Sequence, residues 1–329
     1  MTSSRSIGQE KHTIIYLHGP ARSGTTISAI SLGQVADIVF NQPFTNTKNR
    51  QEQGKKGFIT KEQYEQTLEE LSQMIANTQH ELQKESLVVI IKEVNDRIPL
   101  HLFQEWITIP SYTFVVVRDP HIQLVSMMKH NAVTFFSLKN PPTETELLHS
   151  LINRFDDASM GQEDNRTFLQ FNEDKWTSLL KEVQSIRCSK VPFSIFDANI
   201  MRHDPQRCLK IIFNQAGLDE TEIDSCITGF QRRRISFVDE RDIYRRATKK
   251  AHKSNGLLPL KRDESLSSNA FTKKQRASLE KLIAVYTELL HAPELLFAPH
   301  WADLEKQSWG ALDGVNFCNS HPFTTSVLL

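Results

Sequence analysis

Two short charged turns, residues 19–26 and 118–120, each follow directly on an apolar run, and both have the residue types needed to hold an oxyanion. In the first, Gly19 and Gly24 have the G-x-x-x-x-G spacing of an NTPase phosphate loop, and Thr26 sits where that motif has its Ser/Thr. Thr25 occupies the place of the lysine, and the basic residue stands inside the loop at Arg22. Backbone N–H groups from Ser23 to Thr26, at the start of a helix, would point at whatever anion docks there. The missing lysine argues against a nucleoside triphosphate handled with Mg²⁺. In the second turn Arg118 ends a strand and Pro120 suits the first position of a helix, which carries Ser126 about two turns along. Arg can grip a phosphate with two parallel N–H bonds, and a Ser hydroxyl adds a third donor. The plainer alternatives are an ordinary strand-to-helix turn for the first segment and an Arg118–carboxylate pair for the second.

The elements that must position these residues alternate along the chain. Apolar runs rich in Ile, Val and Phe predict strands at 13–18, 87–92, 111–117 and 191–196, buried on both faces because they lack strict alternation. Helices are expected near 26–36, 61–84, 122–130, 143–160, 173–186, 205–215 and 273–291. The fold class is therefore α/β, a mostly parallel central sheet flanked by helices. In such sheets ligands bind outside the carboxyl ends of the strands, where Arg22 and Arg118 both fall. The polar stretch 41–57 reads as a loop, Asp204 as an N-cap before Pro205, and Gly217 as a helix stop.

Together, the pattern at 20–26, the Arg-Asp-Pro turn with Ser126 eight residues after Arg118, and the strand, acidic turn and helix at 191–218 resemble the sulfotransferases that use 3′-phosphoadenosine 5′-phosphosulfate (PAPS), in the branch with Arg in the 5′ loop. The resemblance spans roughly residues 13–218 and implies a P-loop-like nucleotide-binding fold. It implies that Arg22, with Ser23, Gly24, Thr25 and Thr26, holds the 5′-phosphosulfate, and that Arg118 and Ser126 hold the 3′-phosphate. Arg22 would neutralise charge growing on the oxygen that bridges sulfur and phosphorus, with no metal called for. PAPS is then the donor and 3′-phosphoadenosine 5′-phosphate (PAP) the product. Phe196 and Asp197 stand where Tyr-Glu is common.

On the acceptor side the pattern is incomplete. Cytosolic members of the family carry a His base shortly after a strand-end Lys, whereas this chain has Lys92, Glu93 and Val94 at the corresponding place. Glu93 is the candidate base, as in some carbohydrate-directed members, and Lys92 could contact the sulfonate oxygens. Asp96 and His101 are further candidates, and each has a structural alternative: an ion pair for Glu93, an N-cap for Asp96, a helix surface for His101. A small-molecule or carbohydrate hydroxyl or amine is the expected acceptor. A P-loop kinase using ATP, with Asp119 as a Mg²⁺ ligand, and a non-catalytic nucleotide-binding protein of the same fold are the rival classes.

Composition bounds the rest. The 329 residues, 39% of them hydrophobic, suffice for one large domain over 13–300, with a polar stretch at 1–12 and a tail at 301–329. Formal net charge is zero, which gives no case for nucleic acid or an anionic surface. No run approaches the roughly 18 apolar residues that span a bilayer, and the start lacks a secretory signal's apolar stretch. The four cysteines, Cys188, Cys208, Cys226 and Cys318, form no metal-like cluster, which fits reduced thiols in a cytoplasmic protein. Residues 232–262 turn basic, and the resemblance suggests a lid over the nucleotide, with Gly256 as its hinge residue. A solvated helix face or a patch for an acidic partner fits that composition equally. Dimerisation is common among such enzymes, but no interface motif is readable.

Overall fold

The computed structural model of the chain describes residues 12–44, 58–95, 98–134, 151–152, 167–231, 256–257 and 271–292. Five strands, β1 (Thr13–His18), β2 (Ile38–Asn41), β3 (Val88–Lys92), β4 (Tyr112–Val117) and β5 (Phe193–Asp197), form one sheet in the order β2-β3-β1-β4-β5. Every pairing is parallel, with Leu17 opposite Lys92 and Phe114, so the fold class is α/β with an all-parallel sheet. The helices among the described residues are α1 (Thr25–Leu32), α2 (Lys61–Leu82), α3 (Leu100–Trp106), α4 (Pro120–Thr134), α5 (Phe168–Ser189), α6 (Ala198–His203), α7 (Pro205–Ala216), α8 (Ile223–Thr228) and α9 (Lys273–Leu290).

The sheet is buried on both faces, which explains its continuous apolar runs. Ile14 and Tyr16 face a core that includes Phe103, Trp106, Trp176 and Leu282. Ile15 and Leu17 face Ala29, Leu32, Leu209 and Phe213 on the other side. From β1 the chain goes outward to β2, and from β4 it goes the other way to β5. The crevice between the loops that follow β1 and β4 is therefore the switch point of the sheet.

Three helices begin with the same device. Thr60 and Gln63, Thr167 and Gln170, and Thr272 and Gln275 each form a capping box, in which the Thr oxygen accepts the third residue's N–H and the Gln side chain returns the bond. The box at Thr167 starts α5 five residues before the expected 173, a signal that composition alone obscures. At α7 the expected Asp204 cap, Pro205 and left-handed Gly217 are all present. Two expectations change. The helix after the Gly19–Gly24 loop stops at Leu32 and not at 36, which releases residues for β2, a four-residue edge strand too short to show a period. The expected helix at 143–160 lies outside the described residues except for Leu151 and Ile152, both buried.

Of the basic segment 232–262, only Gly256 and Leu257 are described. Leu257 is buried in the core and its N–H donates to the Ile227 carbonyl at 2.9 Å. A Cβ on Gly256 would sit 2.1 Å from that same carbonyl oxygen, so the glycine permits a close approach to α8. The proposed lid otherwise lies outside the described residues, as do the segments 1–11 and 293–329. Among the described residues no helix is long and apolar enough to cross a membrane.

Candidate functional site

The loop from Gly19 to Gly24 makes a close turn at the carboxyl edge of the sheet. Gly24 has φ 104°, a conformation that L side chains rarely adopt, and a Cβ there would lie 2.6 Å from that of Ala198. A Cβ on Gly19 would lie 2.1 Å from the Val116 carbonyl oxygen, so the loop hugs β4. Arg22 is itself left-handed at φ 69°, an uncommon state for a residue with a side chain and one that clusters at functional turns. Outside contacts brace the loop. Asn95 N–H donates to the Gly19 carbonyl at 3.1 Å, and Gln123 Nε2 donates to the Ala21 carbonyl at 2.7 Å. Gln123 is buried and its Oε1 accepts from Trp176 Nε1 at 3.2 Å, which ties α4, α5 and the loop together.

This turn delivers α1 with its amino end open. Gly24 offers no side-chain cap, and the first helical bond found is from Ser28 N–H to the Gly24 carbonyl, so the amides of Thr25, Thr26 and Ile27 point outward from the helix start. No acidic residue occupies the first turn of α1. Ser23 is fully buried and its hydroxyl has no hydrogen-bond partner among the described residues. A buried hydroxyl without a partner carries a desolvation cost of about 1–3 kcal/mol. Thr25 is buried and Thr26 partly so.

Two arginines come together beside this helix end. Arg22 Nε donates to Ser126 Oγ at 3.2 Å, which joins the loop after β1 to the second turn of α4. Burial, and then the charge of Arg118, pull the Arg22 pKa down. Like charges are placed side by side here, a costly arrangement that a bound anion would relieve. Arg22 makes no ion pair among the described residues. Sequence reasoning assigned Arg22 and Ser126 to two different phosphates; the structure puts them in direct contact.

His130 belongs to this cluster and was missed. It lies one turn past Ser126, and burial together with the Arg22 charge lowers its pKa to about 4. The i, i+4 spacing from Ser126 was the signal that could have found it. Asp119 is engaged otherwise: its Oδ1 accepts the N–H of His121 at 2.8 Å and caps α4. Among the described residues no group of acidic, His or Cys side chains forms a metal site.

On the other side of β1 the side chains of His18 and Glu93 are satisfied. His18 bonds Tyr16 through Nδ1 at 3.0 Å and Glu182 through Nε2 at 2.8 Å, all three buried. Glu93 is fully buried; one carboxylate oxygen accepts the Phe44 N–H at 3.1 Å and the other its neighbour Val94 N–H at 2.9 Å. Burial, Glu93 and Glu182, in that order, hold the Tyr16 hydroxyl well above its ordinary pKa. Lys92 is buried at the end of β3, and Gln42 N–H donates to its carbonyl at 2.6 Å. His101 is exposed on α3, and Asp96 lies outside the described residues. At the end of β5, Asp197 caps α6 through Oδ1 and accepts from Tyr286 through Oδ2 at 2.6 Å, which gives the acidic turn an architectural duty. Cys208 and Cys226 are buried, with thiol pKa values pushed up to about 12 chiefly by burial.

No protein-family profile matches the chain, and no curated protein matches it significantly.

Proposed function

We propose that this chain is a sulfotransferase that moves a sulfuryl group from PAPS to a hydroxyl or amine of an acceptor. The observation that carries this is the convergence of Arg22, Arg118 and Ser126 beside the open amino end of α1, with the Ser23 hydroxyl buried and unpartnered in the loop. That combination of donors, with no carboxylate paired to Arg22 among the described residues, fits a ligand that carries phosphate or sulfate groups at two ends.

In this mechanism the amides of α1 and the Thr25 and Thr26 hydroxyls bind the 5′-phosphate, and Arg22 lies over the oxygen that bridges it to sulfur. The acceptor oxygen or nitrogen bonds to sulfur as the bridging S–O bond breaks, and the electron pair leaves with the 5′-phosphate of PAP. Positioning and charge stabilisation dominate such a transfer, as they do in phosphoryl transfer. Arg118 takes the 3′-phosphate, and Ser126, held by Arg22, links the two half-sites.

The acceptor's proton goes to a base near β3, and Glu93 is the proposed one. Its carboxylate already holds two backbone N–H groups, so it accepts a proton only if the Phe44 bond opens in the complex. Lys92 beside it would contact the sulfonate oxygens.

The test is calorimetric binding of PAP without metal, for the wild type and Arg118→Ala. Tight metal-free binding that weakens roughly 30-fold, about 2 kcal/mol, in the variant is the expected result for a lost charge-assisted contact. Binding of ATP only with Mg²⁺, and none of PAP, would replace this function with that of a kinase.

A further inference from the structure

One side of α4 presents a polar residue at each turn to the phosphate loop. Asp119, Gln123, Ser126 and His130 follow one another at spacings of four, three and four and so share a helix face. Two of them bond the loop directly, Gln123 to the Ala21 carbonyl at 2.7 Å and Ser126 to Arg22 Nε at 3.2 Å. His130 is the next residue on that face, within reach of the Arg22 charge, and its ring makes no hydrogen bond among the described residues. A partly buried imidazole within reach of a guanidinium charge has no reason to hold a proton until an anion arrives.

Resting on the donor site above, we propose that His130 is a third basic group of that site, neutral in the free protein and protonated when a phosphate or sulfate docks beside Arg22. Its free-state behaviour agrees, since burial and Arg22 bring its pKa to about 4. Arg22 faces it from the loop, Arg118 acts on Arg22 in turn, and Lys129 neighbours it on α4. Among the described residues no carboxylate bears on His130. Asp119 and Asp197 act on each other's surroundings, on Tyr286 of α9 and on His121.

A docked anion reverses the sign of the local field and raises the His130 pKa above its free value. Between the two values binding takes up a proton, so affinity rises as pH falls, by at most about tenfold per pH unit. Above the bound value the dependence vanishes. The site would thus grip its anion more tightly in mildly acidic solution and release it more readily as pH rises.

The probe is sodium sulfate, which does not titrate in the working range, with PAP as a second ligand and chloride as the only other anion. Calorimetry in two buffers of different ionisation enthalpy between pH 5 and 7 counts protons taken up by the wild type, His130→Asn and His121→Asn. Uptake in the wild type and His121→Asn, lost in His130→Asn together with the pH dependence of sulfate affinity, is the expected result. Equal uptake in all three, or none in any, overturns the proposal. Should His130→Asn fail to fold, ring-proton NMR of the wild type decides: a histidine titrating below about 5 in the free protein must move up by at least about one unit with sulfate. PAP binding without His130-linked uptake removes this inference and leaves the donor site standing. His130-linked sulfate binding without any PAP binding does the reverse.

Discussion

The two polar clusters that flank β1 at the carboxyl edge of the sheet differ in how completely their named side chains are satisfied. On the β3 side, His18 uses both ring nitrogens and Glu93 both carboxylate oxygens, all inside the protein. On the β4 side, Arg22 has one hydrogen bond to a hydroxyl, Ser23 has none from its side chain, and His130 has none from its ring among the described residues. A buried network with every partner present rigidifies a fold, whereas one with donors left over is costly until something completes it. The first cluster is therefore suited to holding the edge in place, and the second is the one we propose holds an anion.

That contrast is broken most visibly at Glu182. Replacing it by Ala leaves His18 Nε2 without its acceptor in the core, and urea unfolding should show a loss of about 3 kcal/mol. PAP affinity per folded molecule should stay unchanged; a fall in affinity with no loss of stability would exchange the roles of the two clusters. Arg118→Ala should behave oppositely, with binding weakened by about 2 kcal/mol and a smaller loss of stability than Glu182→Ala, because its removal also relieves a like charge beside Arg22.

Ser126→Ala sharpens the comparison at smaller scale. It removes the one hydrogen bond seen for Arg22 and should cost about 1 kcal/mol in PAP binding, read by the same calorimetry. Smallest is a pH effect at Asp197, whose carboxyl pKa is raised chiefly by burial against the opposing pull of the Tyr286 bond. A raised folded-state value means that this group favours the fold at low pH and that the contribution is lost as pH rises through the folded value. Asp197→Asn should flatten that part of the stability profile in thermal melts across pH 4 to 7; an unchanged slope would show that Asp197 ionises without cost.

Much of the edge was legible before any coordinates. The runs at 13–18 and 112–117 are strands because β-branched and aromatic residues crowd there without polar alternation, and Arg22 and Arg118 follow them directly. Asp204, Pro205 and Gly217 bracket α7 as their local preferences require. The strand β2 was not legible, since four residues show no period. The start of α5 was legible only through the Thr167 box, which composition hides. Glu93 illustrates the limit at the site. Its position after a strand was readable, but its bond to Phe44 N–H, 49 residues away, was not.

The sequence by itself determined the parallel α/β class, the glycines of the turn after β1 and the placing of two arginines at strand ends, because these depend on local propensity and spacing. Only the tertiary structure decided which polar groups are satisfied. It put Arg22 on Ser126 across 104 residues, sealed His18 against Glu182 across 164, and brought Arg22 within reach of His130. Satisfaction of a buried donor depends on which distant segment packs against it, and spacing along the chain does not carry that information.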